Sequence, residues 1–211
     1  MKIIYSFIFF NLFIVTISSN VIYDSSGNKL LRGIPYYIIP LLRGSGGGLT
    51  LTQTKKNTCP LNVTQEPFDV NHGVPFIFNP IILDEDIIHG AYPISIEADV
   101  TNACSGSTIW KFNKPESCFQ FVENDMMPGL QSYQIQHCPF KCGSSSTDVG
   151  CYNVGIISNP DGNGYLGRTD SIFPVVFINS FGTLSSQSGK VSTFSQLAAR
   201  VNKFSHFAKV L

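Results

Sequence analysis

The residues of this chain best suited to acid–base chemistry are three consecutive carboxylates, Asp84, Glu85 and Asp86. Paired carboxylates can hydrolyse glycosidic bonds, but three adjacent acids between apolar runs are more typical of a solvated surface loop. The histidines stand outside the G-x-S-x-G and H-E-x-x-H motifs that mark hydrolases and zinc proteases. The sequence therefore predicts that the protein is not an enzyme. The histidines are His72, His89, His137 and His206.

A glycine-rich stretch, Arg43–Gly48, is open to misinterpretation as a phosphate-binding loop. It lacks the Gly-Lys-Ser/Thr ending of a P-loop, and it precedes an alternating strand pattern, Leu49–Thr52, rather than a helix. The same glycines suit a bend or bulge at the end of a strand. We therefore expect no nucleotide and no other cofactor.

Six cysteines offer either disulfide or metal chemistry. An even number of cysteines behind a secretory leader predicts disulfides, although the sequence alone allows 15 pairings. Zinc is the alternative for Cys138 and Cys142, which lie beside His137. Oxidised cysteines cannot bind zinc, and no second ligand pair has zinc-finger spacing, so no metal site is predicted. The cysteines are Cys59, Cys104, Cys118, Cys138, Cys142 and Cys151.

Residues 1–19 have the pattern of a signal peptide. A single basic residue, Lys2, precedes a mostly apolar run from Ile3 to Ile17, and two serines follow. The run is too short for a typical spanning helix, and a membrane anchor is the less favoured alternative. No later segment is apolar enough to span a membrane. We therefore expect a secreted protein without a membrane span.

The composition of the remaining chain favours a single all-β domain over residues 20–181. Only 13% of the residues are charged and 12% are aromatic, while 18 glycines and 12 prolines are scattered along the chain. Short β-rich runs broken by Gly, Pro, Asn and Asp are typical of a sandwich or barrel. Lys2 and four tail cations leave nine of the 14 basic residues in 20–182, against all 14 acids. This net charge of −5 argues against nucleic acid as a partner.

Residues 182–211 differ in composition from the domain before them. Gly182–Val191 is rich in Ser and Gly, which predicts a linker. From Ser192, a suitable N-cap, apolar residues recur at spacings of three and four, which predicts an amphipathic helix outside the β-domain. This basic tail has three alternative roles: docking on the acidic domain, sorting through contact with a membrane or receptor surface, or removal as a propeptide. Its apolar face consists of Phe194, Leu197, Val201, Phe204, Ala208 and Leu211.

The segment Ile22–Ile38, I-Y-D-S-S-G-N-K-L-L-R-G-I-P-Y-Y-I, combines a turn with flanking apolar strand residues. In such a turn Asp24 accepts backbone hydrogen bonds and Gly27 takes a positive φ. Together with Arg43–Leu51 (R-G-x-G-G-G-L-x-L) and Cys59–Gln65 (C-P-L-x-V-x-Q), this segment resembles the plant Kunitz-type protease inhibitors. The resemblance implies a secreted or vacuolar β-trefoil that blocks an endopeptidase with one exposed loop.

The resemblance also implies how four of the cysteines pair, with one long-range bridge and one short C-terminal bridge. The other two have no standard partner in the family, and we expect them to bridge each other. The expected disulfides are Cys59–Cys104, Cys138–Cys151 and, for the remaining two, Cys118–Cys142.

One interval departs from the family pattern. Only eight residues separate Trp110 from Phe119, where the family usually fits another strand and turn. Either the third unit of the trefoil is trimmed or the sequence lacks a segment. A missing strand exposes a sheet edge, so this interval predicts a barrel that is not fully closed.

By the same resemblance, Phe78–Ile87 holds the reactive loop. Pro80 aligns with the family's loop proline, which places Ile82 at the position that fills the specificity pocket of the protease. Leu83 is the alternative because the loop has a small insertion. The expected loop residues are Asn79, Pro80, Ile81, Ile82, Leu83 and Asp84.

The composition around this loop predicts its specificity. No Lys or Arg occurs from Asn57 to Trp110, whereas the trypsin pocket carries an aspartate and requires a cation. We expect a serine endopeptidase with an apolar pocket as target, with cysteine or aspartic endopeptidases, reached through another loop, as alternatives. Arg32 stands where inhibitory members usually have an Asn that supports the loop. A non-inhibitory binding or storage protein of the same fold is therefore the alternative function.

The single N-glycosylation sequon, Asn62-Val-Thr64, fits a secretory route. A secreted protein of this kind is expected in the apoplast or the vacuole. We expect a monomer, with an endopeptidase as its partner.

Overall fold

The computed structural model describes residues 20–52, 62–82, 84–101, 109–110, 118–143, 149–158 and 164–185. Several expectations from the sequence fall on other positions. The signal peptide, Cys59, Cys104 and Leu83 lie outside the described residues, as does the tail from 186 to 211.

Most of the regular secondary structure in the described residues is β-strand. The strands are β1 (Pro35–Pro40), β2 (Leu49–Thr52), β3 (Asn62–Gln65), β4 (Pro75–Pro80), β5 (Ile94–Ala98), β6 (Phe119–Asn124), β7 (Ser132–His137), β8 (Tyr152–Ser158), β9 (Gly164–Arg168) and β10 (Pro174–Asn179). A short 3-10 helix, Pro139–Cys142, follows β7, and helix α1, Ser180–Ser185, follows β10. No helix in these segments is long and apolar enough to cross a membrane.

Six of the strands form a closed antiparallel barrel. The ring runs β10–β1–β4–β5–β6–β7, and β7 returns to β10 through the pairs Gln134↔Pro174 and Tyr133↔Val175. Two further hairpins, β2–β3 and β8–β9, are joined to each other through Thr64↔Tyr165. A six-stranded barrel with hairpins attached is the architecture of a β-trefoil, so the expected fold is confirmed.

The position of the shortened unit needs a correction. The last four strands, β7 to β10, supply a barrel–hairpin–barrel unit as complete as β1 to β4, so the third unit is not trimmed. The short interval lies instead between β5 and β6, in the middle unit, where residues 102–108 and 111–117 are outside the described residues. The barrel still closes here through Ile94↔Phe119, and Ile109 pairs with Glu97 of β5.

Aromatic side chains fill the barrel because alternate residues of each strand point inward. Phe78 lies near the rings of Tyr36, Phe121 and Phe177 at centroid distances of 5.9, 5.0 and 5.3 Å. Trp110 packs edge-on against other buried rings next to the short interval, which covers the barrel at that point. Full burial of each large apolar side chain stabilises the fold by about 1.5–3 kcal/mol.

The glycine-rich stretch lies where two backbones touch. A Cβ at Gly48 would lie 2.0 Å from the carbonyl oxygen of His72, and one at Gly47 would lie 2.3 Å from that of Phe68. The Gly47 N–H donates to the Glu66 carbonyl at 2.7 Å. The glycines therefore allow residues 44–48 to lie directly against the loop that follows β3, as a strand-end bend requires.

Helix α1 begins directly after the closing strand. The Phe181 N–H donates to Oδ1 of Asn179 at 3.0 Å. Residues 182–185, expected as the start of a linker, belong to this helix instead.

Candidate functional site

The connection between β4 and β5, residues 81–93, holds the candidate loop. Its two ends are joined by the pair Pro80↔Ile94, and the Ile81 N–H donates to the Pro93 carbonyl at 3.1 Å. This bond continues the β4–β5 ladder by one step into the loop. Ile82 follows with 64% of its surface exposed, above a small crevice that it lines together with Ile87. The loop therefore projects an apolar side chain from a rigid base.

The second half of the loop is backed by residues 20–32, which we call the N-terminal strap. Backbone hydrogen bonds tie the strap and the loop together along their length, so the loop has strand-like support from behind. The bonds run from Arg32 N–H to Asp86 C=O (2.8 Å), from Ile88 N–H to Leu30 C=O (2.9 Å), from Ile22 N–H to Ile88 C=O (3.0 Å) and from Gly90 N–H to Asn20 C=O (2.7 Å).

The turn inside the strap has the geometry that its sequence predicts. Oδ1 of Asp24 accepts hydrogen bonds from the N–H groups of Ser26 and Asn28, both at 2.9 Å. Gly27 adopts a positive φ of 81°, and its N–H donates to the Asp24 carbonyl. The turn thus satisfies its own polar groups, and it reverses the chain so that residues on both sides of it contact the loop.

Two buried tyrosines hold the strap from inside the barrel. The Tyr36 hydroxyl accepts the Leu31 N–H at 3.0 Å, and the Tyr133 hydroxyl accepts the Tyr23 N–H at 2.9 Å. Burial raises the pKa of both phenols above the ordinary value of 10.0. As the pH rises, the two phenols lose their protons in the unfolded chain before they do so in the folded protein. Their contribution to the free energy of unfolding is therefore complete below the ordinary pKa of 10.0 and declines as the pH rises above it.

Arg32 reaches the exposed side of the loop. Its Nη1 donates to Oδ1 of Asp84 in an ion pair, while its backbone N–H bonds to Asp86. The Arg32 side chain is 41% exposed and that of Asp84 is 93% exposed. An exposed pair of this kind contributes about 0–1 kcal/mol, so it orients the loop more than it stabilises the fold. The arginine thus contacts the loop where the family pattern has an asparagine.

A second contact between charged side chains lies within the loop. Glu85 Oε2 is 3.2 Å from Nε2 of His89, and the imidazole also packs edge-on against Tyr92. The contact is an ion pair only while the imidazole is protonated. Two of the three consecutive acids thus have basic partners, and the acids serve loop conformation rather than acid–base chemistry.

The family to which this chain belongs follows from a comparison with known protein families. The model of the legume Kunitz family, described as trypsin and protease inhibitor, matches residues 22–179. The chain belongs to the plant Kunitz-type inhibitor family. Members of this family are protease inhibitors rather than enzymes, in agreement with the prediction from the sequence.

Known relatives and solved structures agree with this assignment. The chain is 33% identical to Kunitz trypsin inhibitor 5 of Arabidopsis thaliana over 178 residues, which cover 75% of this chain and 85% of that protein. It is 30% identical to miraculin of Synsepalum dulcificum over 183 residues, with 75% and 82% covered. Alocasin, a protease inhibitor from giant taro (Arum macrorrhizon), matches with a TM-score of 0.65 at 29% identity, covering 76% of this chain and 99% of that one.

Two disulfides of this Kunitz-type chain lie in the described residues. Cys118 is bonded to Cys142 with a Cα–Cα distance of 5.9 Å, and Cys138 is bonded to Cys151 at 4.3 Å. The cysteines considered as zinc ligands are therefore oxidised. In the described segments, no group of three or more His, Cys, Asp or Glu side chains could hold a metal ion.

Sequence reasoning missed one residue that contacts the loop. Lys141, in the short helix between Cys138 and Cys142, donates from Nζ to the carbonyl of Ala91 at 2.7 Å. Only its position between two cysteines could have drawn attention to it. The sequon asparagine, Asn62, lies at the start of β3 opposite Thr52, far along the chain from the loop.

Proposed function

We propose that this Kunitz-type protein is a secreted inhibitor of a serine endopeptidase with an apolar specificity pocket. Ile82 is the residue that fills the pocket, with Leu83 as the alternative. The observation that carries the proposal is an exposed apolar side chain on a loop held at both ends, at Ile81 by Pro93 and at Asp86 by Arg32.

Pre-organisation is what such a loop contributes to binding. A flexible segment loses conformational entropy when a protease holds it, whereas a loop already fixed by its own protein loses little. The backbone bonds to the N-terminal strap and the ion pair at Asp84 supply this fixation before the protease arrives.

The proposed specificity follows from charge. The trypsin pocket holds a carboxylate that requires a cationic partner. Ile82 and Ile81 supply apolar surface instead, and Asp84 is the exposed charge beside them. An enzyme of the chymotrypsin or elastase type, with an uncharged pocket, matches this loop better than trypsin does.

A titration of purified protein against a panel of endopeptidases tests the proposal. The panel comprises trypsin, chymotrypsin, elastase, a papain-like and a pepsin-like enzyme. We expect inhibition of an enzyme with an apolar pocket, weakened at least about a hundredfold by Ile82→Gly, because a pocket-filling residue is a binding hot spot. Ile172→Gly, at an exposed isoleucine between β9 and β10, is the matched control and leaves inhibition unchanged. Tight trypsin inhibition that Ile82→Gly or Leu83→Gly abolishes would contradict the proposed specificity.

A non-inhibitory binding or storage protein is the second candidate function. Arg32 in place of the supporting asparagine favours it, and so does the similarity to miraculin, a relative not named as an inhibitor. The same panel separates the two candidates, because a storage protein leaves every enzyme active. Inhibition of only the papain-like or pepsin-like enzyme, insensitive to Ile82→Gly, would place the activity on another loop.

The secretory route belongs to the proposal as well. Residues 1–19 act as a signal peptide, the mature monomer reaches the apoplast or the vacuole, and Asn62 carries a glycan. Expression in plant cells with and without residues 1–19 tests the route, and Asn62→Gln tests the glycan through the mass of the secreted product. Retention of residues 1–19 in the mature protein, or an unchanged mass in Asn62→Gln, would contradict the respective part.

A further inference from the structure

The chain leaves the candidate loop through a residue in an unfavourable backbone conformation. Ala91 has a φ of 61°, and among the described residues it is the only one other than glycine with a positive φ. A side chain disfavours this region, and such a residue persists only where its surroundings hold it in place. The contacts around Ala91 therefore hold the end of the loop in this conformation.

Both backbone polar groups of Ala91 are held by residues outside the loop. Its N–H donates to the Phe121 carbonyl of β6 at 2.8 Å, and its carbonyl accepts from Nζ of Lys141 at 2.7 Å. The first bond joins two backbone groups, so it does not depend on the side chain of Phe121. The second depends on one side chain, and that side chain comes from a segment 50 residues away along the chain.

A row of side-chain amides orients the lysine. Nζ of Lys141 also donates to Oε1 of Gln120 at 2.6 Å. Gln120 presents its oxygen to the lysine because its Nε2 donates to Gln136 at 2.7 Å, and Gln136 in turn donates to Asn153 at 3.0 Å. The ammonium group thus has two fixed acceptors, one of them in the loop, and its direction is set by neighbours on β6, β7 and β8.

The short helix that carries Lys141 is fixed by disulfides on both sides. Cys138, before the helix, is bonded to Cys151, and Cys142, its last residue, is bonded to Cys118 next to β6. The Cys138 N–H also donates to the Cys118 carbonyl at 2.8 Å. The Cys118–Cys142 bridge therefore holds Lys141 over Ala91, at the end of the candidate loop. These two cysteines have no standard partner in the family pattern.

We propose that Lys141 is a positioning residue of the inhibitory loop, and that the Cys118–Cys142 disulfide holds Lys141 against the carbonyl of Ala91. The assignment rests on the proposed function for its effect on inhibition, but the support of Ala91 is a property of the free protein. Burial lowers the pKa of Lys141, which agrees with the half-buried position of this side chain.

The test compares Lys141→Met, which keeps most of the side-chain volume but removes the donor, with Arg43→Met, which removes an exposed cation between β1 and β2, outside the strap and the loop. We expect Lys141→Met to weaken protease binding roughly tenfold, as for loss of a charged hydrogen bond, and Arg43→Met to leave it unchanged. In the free protein, amide exchange of Ala91 and Gly90 should accelerate while that of β1 and β10 does not. Lys141→Arg, which keeps a cationic donor, should restore most of the affinity.

A second variant tests the role of the disulfide. The double substitution Cys118→Ser with Cys142→Ser should accelerate the exchange of the Ala91 amide in the same way. Adding Lys141→Met to it should cause little further change, because both act through one contact. Full additivity of the two effects would overturn the link between the disulfide and the lysine.

The outcomes separate this inference from the proposed function. Exchange at Ala91 that is the same in Lys141→Met as in Arg43→Met overturns the inference, whatever happens to inhibition. Accelerated exchange throughout β1 and β10 overturns it as well, because Lys141 would then be a general structural residue. If Lys141→Met accelerates amide exchange only in the loop, the inference is supported. If the wild-type protein then inhibits no protease of the panel, the proposed function alone is overturned.

Discussion

Two loops of this protein expose apolar side chains from rigid backbones, and they are rigid for different reasons. The loop of residues 66–73, after β3, exposes 66% of Phe68, and the loop of residues 81–93 exposes 64% of Ile82. In the 66–73 loop the Asn71 N–H bonds back to the Phe68 carbonyl at 2.9 Å, so the aromatic residue opens a tight turn. In the 81–93 loop the residue before Ile82 continues a strand ladder.

The difference shows that exposure and rigidity together do not make a protease-binding loop. A protease binds its substrate in an extended form and pairs with the backbone on either side of the pocket-filling residue. The turn at Phe68 directs those backbone groups towards each other, whereas the bend at Ile81 and Ile82 follows directly on a ladder bond to Pro93. We therefore propose the substrate-like role for Ile82 and not for Phe68.

The largest expected effect is a change of specificity that only one of the loops supports. Ile82→Lys places a cation where the trypsin pocket requires one, so we expect trypsin inhibition to improve at least about a hundredfold. Phe68→Lys places the same charge on the other loop and should leave trypsin inhibition unchanged. Inhibition constants for trypsin measure both. Equal gains from the two substitutions would show that the backbone of Phe68 is as accessible to a protease as that of Ile82.

A smaller effect separates the two loops by stability. Gly48→Ala forces a Cβ to within 2.0 Å of the His72 carbonyl beside the 66–73 loop, and backbone shifts of this kind cost roughly 1–3 kcal/mol. Gly90→Ala in the 81–93 loop meets its nearest atom at 3.3 Å and should cost less than about 1 kcal/mol. Urea unfolding gives both free energies. A larger loss for Gly90→Ala would mean that the 81–93 loop is the more tightly packed of the two.

The parts of this structure that follow from the sequence are those encoded locally. The turn from Asp24 to Gly27 has its own residue signature, and inward-facing aromatics such as Phe76 and Phe78 alternate along their strands. The all-β class was predictable from such patterns, whereas the trefoil was predictable only through the resemblance to the Kunitz-type family. The location of the shortened unit was not, because spacing along the chain does not reveal which strands share a unit until their pairing is known.

The contacts that support the candidate loop could not be predicted for a related reason. Arg32 meets Asp84 across 52 residues, and Lys141 meets Ala91 across 50 residues, and neither separation is linked by a periodic pattern. The positive φ of Ala91 could not be predicted either, because the residue at this position is not a glycine. Only the folded barrel brings these groups together, so the sequence predicts the loop and the supporting position of Arg32, but not the contact with Asp84 or the role of Lys141.

The smallest expected effect concerns the carboxylates that anchor the two loops. Asp69 accepts the backbone N–H groups of Gly44 and Gly46 at 2.5 and 3.1 Å, whereas Asp84 is anchored by the exposed side chain of Arg32. Asp69→Ala exchanges two backbone hydrogen bonds for hydrogen bonds to water and should cost about 1 kcal/mol, with little dependence on salt concentration. Asp84→Ala removes an exposed ion pair and should cost about 0.5 kcal/mol or less at low salt.

Salt concentration distinguishes the two anchors. The Debye length falls to about 3 Å at 1 M salt, so the cost of Asp84→Ala should vanish there while that of Asp69→Ala remains. Urea unfolding at about 0.01 M and 1 M salt measures both, with Asp170→Ala, at an exposed aspartate near β9, as the control for net charge. A cost of Asp84→Ala that persists at high salt would mean that Asp84 is anchored by more than its charge. The 81–93 loop would then be held as firmly on its exposed side as the 66–73 loop is by backbone contacts.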